Sequence, residues 1–254
     1  MTDPAATSED GFLGGRLRLR QPVTGHRAGH DAILLAAATR ARPGDRVVEF
    51  GAGVGAAGLA LASRVEGLDL VLVERDPRLA DLARGNAAAN GLRAAAVVLD
   101  VAAGADEFAA AALLPDCADV VLMNPPFNDP SRHRGSPDGA RQAAHVATAT
   151  TLQSWVHAAR RILKSGGALT LIWRADGLAD VFAALGRGFG NLVLLPVHGK
   201  PDEPAIRVLV SAVKGGRAPL QIHAALHLNQ ASGTPTASAR AVLNGEQILP
   251  LAFT

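Results

Sequence analysis

Seven runs made mostly of Val, Leu, Ile and Ala recur along the chain, at 46–50, 70–74, 96–100, 119–123, 168–173, 191–197 and 206–213. A strand with one wet face alternates apolar and polar side chains. Runs without that alternation mark strands covered on both faces, the habit of a parallel sheet. Parallel neighbours need long crossovers, and alanine- and leucine-rich helical stretches lie between the runs at 56–65, 77–90, 148–163 and 178–187. Pro77 suits the first turn of a helix and Asn90-Gly91 reads as a helix stop. Another amphipathic stretch, 31–41, precedes the first strand. This alternation predicts a doubly wound α/β fold in a single domain spanning 1–254.

Composition removes the competing classes. Of 254 residues, 48% are hydrophobic and 19% charged, which excludes disorder as the main state. A single cysteine, Cys117, leaves no intramolecular disulfide and no multi-cysteine zinc site. The histidines show no metal-ligand spacing with carboxylates, so no metal is expected. No apolar run approaches the ~20 residues of a membrane span, and MTDPAATSED does not read as a leader, so a cytoplasmic protein is expected. Residues 1–11 are expected to be disordered, with 12–45 an upstream segment serving cofactor or substrate. Between Gly11 and Arg46 lie seven arginines against two aspartates, which reads either as a polyanion-binding face or as a solvated surface. Beyond Leu220 only a weak strand signal, 220–228, is legible.

The first run leads into RVVEFGAGVGAAG, where Glu49 ends a strand and Gly51, Gly53 and Gly55 precede a helix. Glycines there let the backbone turn tightly and bring a ligand close to main-chain N–H groups at a helix start. Three readings fit: a nucleoside-cofactor loop, the G-x-G-x-x-G of dinucleotide enzymes across Gly53–Gly58, or plain helix-on-sheet packing. Glu74 ends the second strand at the spacing where a carboxylate meets ribose hydroxyls, and Asp100 ends the third on the same carboxyl edge. Three successive strand ends with ligand-capable residues favour a nucleoside-bearing cofactor.

The fourth run ends in DVVLMNPPFND. Consecutive prolines hold the chain extended and remove two N–H donors. The edge that remains is rich in acceptors, the Asn124 side-chain oxygen and the Pro125 carbonyl, with Phe127 offering a flat face. Such an edge suits a planar group bearing an NH₂. Two acceptors take the amino hydrogens, draw the nitrogen toward tetrahedral geometry and free its lone pair. The chemistry then asks for positioning more than for a strong base.

Taken together, Glu49-x-Gly-x-Gly-x-Gly, Glu74, Asp100 and Asn124-Pro-Pro-Phe127 resemble the motifs of class I S-adenosylmethionine-dependent methyltransferases acting on amino nitrogens. QPVTGHRAGHDAILLAAA, at 21–38, resembles the segment ahead of the first motif in the bacterial tRNA1(Val) adenine-37 N6-methyltransferase family. The resemblance implies a Rossmann-like seven-stranded sheet with helices on both faces, S-adenosyl-L-methionine as cofactor, and an RNA substrate, a tRNA. It implies that Gly51, Gly53 and Gly55 approach the methionine and ribose of the cofactor, with Glu49 near its amino group. Glu74 would hold the ribose hydroxyls, Asp100 the adenine amine, and Asp31 would help close the pocket. Asn124 and Pro125 would orient the target amine and Phe127 would stack on the base, with Phe where many members carry Tyr. No role follows for His26 or His30.

The resulting expectation is methylation of adenosine N6 at position 37 of a tRNA, on a base already unpaired or extruded. Arginines of the 16–46 segment, with Arg132, His133, Arg134 and Arg141 of a polar loop at 128–145, would contact phosphates. Alternatives from the same chemistry are a protein glutamine N5-methyltransferase and an rRNA guanine N2-methyltransferase. From other classes come a nicotinamide-dinucleotide oxidoreductase, which leaves Asn124–Phe127 unexplained, and a non-catalytic RNA-binding or cofactor-sensing module.

Overall fold

The computed structural model describes residues 6–25, 27–126 and 138–253, with the backbone alone over 138–148. A two-stranded antiparallel hairpin opens the chain: β1 (Thr7–Phe12) and β2 (Leu17–Pro22). Then come α1 (His30–Ala38), β3 (Arg46–Phe50), α2 (Ala56–Arg64), β4 (Asp69–Glu74), α3 (Pro77–Ala89) and β5 (Ala94–Val98). The second half runs α4 (Ala105–Ala110), β6 (Ala118–Met123), α5 (Asp138–Ile162), β7 (Leu163–Arg174), α6 (Leu178–Leu185), β8 (Phe189–His198) and β9 (Ala205–Lys214). Two-residue strands β10 (Gln221–Ile222) and β11 (Leu226–His227) and helix α7 (Ala237–Leu243) finish it.

The strand order is β10-β8-β9-β7-β6-β3-β4-β5, with β11 also paired to β8. Seven long strands make the sheet, as the apolar runs predict, and β9 alone among them runs against its neighbours. The chain leaves β3 toward β4 and β5, then returns to β6 on the other flank of β3. That reversal opens a crevice at the carboxyl ends of β3 and β6, where ligands of open α/β sheets bind.

Two apolar cores lie on opposite faces of the sheet. One joins the hairpin to α1, α2, α3 and α7 through Leu17, Leu19, Leu35, Leu59 and Val242. The other packs α4, α5 and α6 through Phe108, Trp155, Ile162 and Val181. No helix among the described residues is long and apolar enough to cross a membrane, and no cluster of His, Cys, Asp and Glu among them could hold a metal ion.

Three expectations need correction. Residues 7–11, read as disordered, form most of β1, while 1–5 lie outside the described residues. The acidic start is balanced across space, not along the chain: Glu9 meets Arg18 at 3.3 Å, and Asp10 takes Gln21 Nε2 at 2.7 Å and pairs with Arg27. The polar stretch 128–145 is not loop throughout, because α5 begins at Asp138. β5 ends at Val98, so Asp100 lies two residues beyond its strand. The weak C-terminal signal resolves into β10 and β11, each too short for periodicity to register.

Burial makes the hairpin part of the domain. Leu17 and Leu19 are fully buried where β2 lies against α2 and α3. Leu19→Ala is expected to cost about 2–5 kcal/mol, the usual price of emptying such a site, read as a lowered urea midpoint with unchanged slope.

Candidate active site

Register places the site. Phe50 of β3 pairs with Met123 of β6, so Gly51 and Asn124 are the next residues beyond two adjacent parallel strands. The glycine turn and the Asn-Pro-Pro turn therefore sit side by side at the crevice. Phe50 also pairs with Val73, and the Ala52 N–H continues the ladder to the Val73 carbonyl at 2.9 Å, so Glu74 borders the same turn from the other flank.

The turn is built on close approach. Gly51 has φ +64°, and a Cβ there would lie 2.3 Å from Trp155 Cη2 of α5, which excludes any side chain. The Gly55 N–H returns to the Ala52 carbonyl at 2.8 Å, closing the turn at the start of α2. Glu74, buried at its strand end, accepts the Gly53 N–H at 2.8 Å through Oε2 and the Asp76 N–H at 2.9 Å through Oε1.

Glu49 is the second buried acid, 5% exposed. Its Oε2 accepts the Gly58 N–H at 2.7 Å, filling one of the unpaired donors of the first turn of α2. A Cβ at position 58 would fall 2.6 Å from that oxygen. Burial pushes the Glu49 carboxyl up to about 8; backbone hydrogen bonds from Gly58 and Ala57 oppose the rise and the charge of Glu74 adds to it. Glu49 thus anchors the first turn of α2, directly after the glycine turn.

At the Asn-Pro-Pro turn, the Asn124 Oδ1 is buried and has no hydrogen-bond partner among the described residues. Pro125 is buried and Pro126 exposed. A buried acceptor without a donor is costly unless something completes it. Phe127, the expected stacking face, lies outside the described residues, as do His26, Arg132, His133 and Arg134, and the side chains of Arg141 and His145.

Asp100 is exposed and accepts the Ala102 N–H at 2.8 Å. It lines an open cleft of about 870 Å³ with Arg75, Asp76, Val98 and Glu107, along the ends of β4 and β5. Asp31 stands elsewhere. It lies in the first turn of α1 and accepts Arg207 Nε of β9 at 2.9 Å, on the Asn124 side of the crevice. Exposed His30 starts the same helix.

Several arginines of the 16–46 segment are engaged within the chain. Arg16 donates to the carbonyls of Leu13 and Asn244, Arg18 pairs with Glu9, and Arg27 pairs with Asp10. Arg46, at the opposite, amino edge of the sheet, reaches the Ala112 carbonyl at 2.9 Å and Asp69 at 3.6 Å.

With this geometry in view, the comparisons decide the class. Residues 29–199 match the family model of the methyltransferase small domain. The chain belongs to that family. It is an S-adenosylmethionine-dependent methyltransferase of the class I fold. It is similar to the tRNA1(Val) (adenine(37)-N6)-methyltransferase of Porphyromonas gingivalis, 30% identical over 178 residues that make up 68% of each chain. Among solved structures it resembles a protein of Agrobacterium tumefaciens described as a predicted O-methyltransferase. That pair is 32% identical with a TM-score of 0.71, covering 86% of this chain and 98% of the other. It shares the fold of the T. thermophilus 16S rRNA N2 G1207 methyltransferase, solved with AdoMet and guanosine. There the identity is 23% and the TM-score 0.56, over 82% of this methyltransferase and 50% of that chain.

The raised carboxyl of Glu49 makes stability depend on pH. Its folded value lies above the ordinary carboxylate value, so its contribution is complete below about pH 4.5 and is lost as pH rises through about 8. Urea unfolding of the protein without cofactor is expected to show stability falling across that window. Glu49→Gln, which keeps the acceptor and removes the titration, should flatten the fall.

Proposed function

We propose that this methyltransferase transfers a methyl group to an exocyclic amine of an RNA base, the N6 of adenosine 37 in a tRNA. The observation that carries the reading is the buried Asn124 Oδ1 beside the glycine turn, which has no hydrogen-bond partner among the described residues. An amine with two hydrogens completes two acceptors, Asn124 Oδ1 and the Pro125 carbonyl. A hydroxyl, with one hydrogen, completes only one and needs a base, which favours N- over O-methylation.

The residues present fit the cofactor. Glu74 would hold its ribose, Asp100 its adenine beside the open cleft, and the Gly51–Gly55 turn its methionine end. Bound S-adenosylmethionine supplies a methyl carbon on a positively charged sulfur. Asn124 and Pro125 fix the amine nitrogen in line with that carbon, and the two prolines keep both acceptors from turning away. The nitrogen lone pair would form the new bond to that carbon as the carbon–sulfur bond breaks and its electron pair leaves with S-adenosylhomocysteine, and the extra proton would pass to water. Phe127 would stack on the base. Asp31, tied to Arg207, would shape the substrate side of the crevice.

The tRNA target rests on the Porphyromonas relative's name and on the segment at 21–38. Bulk tRNA lacking this modification, incubated with radiolabelled S-adenosylmethionine and digested to nucleosides, is expected to yield labelled N6-methyladenosine. Asn124→Ala should lower that rate at least about 100-fold, while S-adenosylhomocysteine affinity stays within about threefold. Label in N2-methylguanosine, or in a protein glutamine, would replace the adenine reading. Full activity in Asn124→Ala would sink the mechanism.

A further inference from the structure

Asn86 of α3 and Asn90, which caps the same helix four residues on, do something the motifs do not account for. The Asn86 side chain is buried, 2% exposed. Its Oδ1 accepts the Arg20 N–H at 2.8 Å, and its Nδ2 donates to the Arg20 carbonyl at 3.1 Å. Asn90 repeats the pair two residues back along β2: Oδ1 accepts the Arg18 N–H at 3.0 Å and Nδ2 donates to the Arg18 carbonyl at 2.7 Å. Four helical residues rise about 6 Å and two strand residues about 6.6 Å, so the spacings match. The two amides act as a substitute third strand along the open edge of the hairpin.

The pair is not equivalent. Asn90 spends its other N–H on the Asn86 carbonyl of its own helix, at 2.8 Å. Asn86 spends its own on the Val54 carbonyl, at 3.0 Å, between Gly53 and Gly55 of the glycine turn. That turn is held from below by Glu49 on Gly58 and from the β4 side by Glu74 on Gly53. Asn86 is the third tether, and it ties the turn to the N-terminal hairpin.

We propose that Asn86 is a positioning residue for the cofactor: through the Val54 carbonyl it holds the glycine turn in its binding shape and couples that shape to the hairpin. The inference rests on the reading that the glycine turn holds S-adenosylmethionine. Without the tether, a buried carbonyl loses its donor and the turn relaxes, so cofactor binding must order it again. Asn90 is the internal control, because it makes the same two bonds to β2 and none to the turn.

The test compares Asn86→Ala with Asn90→Ala in the full chain. Calorimetry with S-adenosylhomocysteine is expected to show about tenfold weaker binding for Asn86→Ala and unchanged binding for Asn90→Ala. KM for S-adenosylmethionine should rise with kcat unchanged. In the protein without cofactor, amides of residues 52–55 should exchange faster only in Asn86→Ala. Should Asn86→Ala fail to fold, Asn86→Asp carries the same test, since it keeps the acceptor for the Arg20 N–H and loses both donors. Equal weakening in both asparagine variants, or none in a folded Asn86 variant, would overturn the proposal. Failure of the unaltered protein to bind S-adenosylhomocysteine would instead overturn the assignment of the turn itself.

Discussion

The parallel pairing of β3 with β6, Phe50 opposite Met123, sets the positions of everything that follows. Both strands are buried on both faces, and a slip of one residue would drive Glu49 and its neighbours to the wrong side of the sheet. With the register held, the glycine turn and the Asn-Pro-Pro turn end level with each other. Their closeness comes from the sheet's reversal of direction at β3, not from nearness in the chain.

The glycine turn is kept in shape by hydrogen bonds to buried side chains. Two buried acids accept N–H groups of the turn and of the first turn of α2, and an asparagine amide donates to the Val54 carbonyl. Holding two acids so close to each other and away from water is unfavourable for their charges, and Glu49 responds by keeping its proton to about pH 8. Close packing around the turn explains why glycine is required at 51 and 58. Trp155 occupies the space of one Cβ and the Glu49 carboxylate that of the other.

The arginines show how little local charge says about a binding surface. Arg16, Arg18, Arg27 and Arg46 are among those engaged with carbonyls or carboxylates of the same chain, and they fasten the hairpin, α7 and the amino edge of the sheet. They bear on RNA only through what they leave exposed. A basic run in sequence therefore points equally to a nucleic-acid partner and to a set of internal staples, and the distinction is made by partners far along the chain.

Much of this protein is legible in its sequence. The seven apolar runs, Pro77 and Asn90-Gly91 mark strands and helices, and each depends on residues close in the chain. The motifs at 49–55, at Glu74 and at 124–127 follow strands and can be read for the same reason. β1 is different: its polar residues have no strand signal of their own and are ordered by cross-strand partners in β2. Asp31 makes an ion pair with Arg207, 176 positions away, that nothing in the sequence announces. Glu49 is legible as a strand-end acid, but only packing decides that its side chain turns to the Gly58 N–H. Asn86 has no sequence signal beyond a helical asparagine, and its role appears once β2 and Val54 come within reach. Local periodicity and turn chemistry are properties of neighbouring residues. Which polar group meets which is settled by long-range contacts that bury them together and oblige each to find a partner.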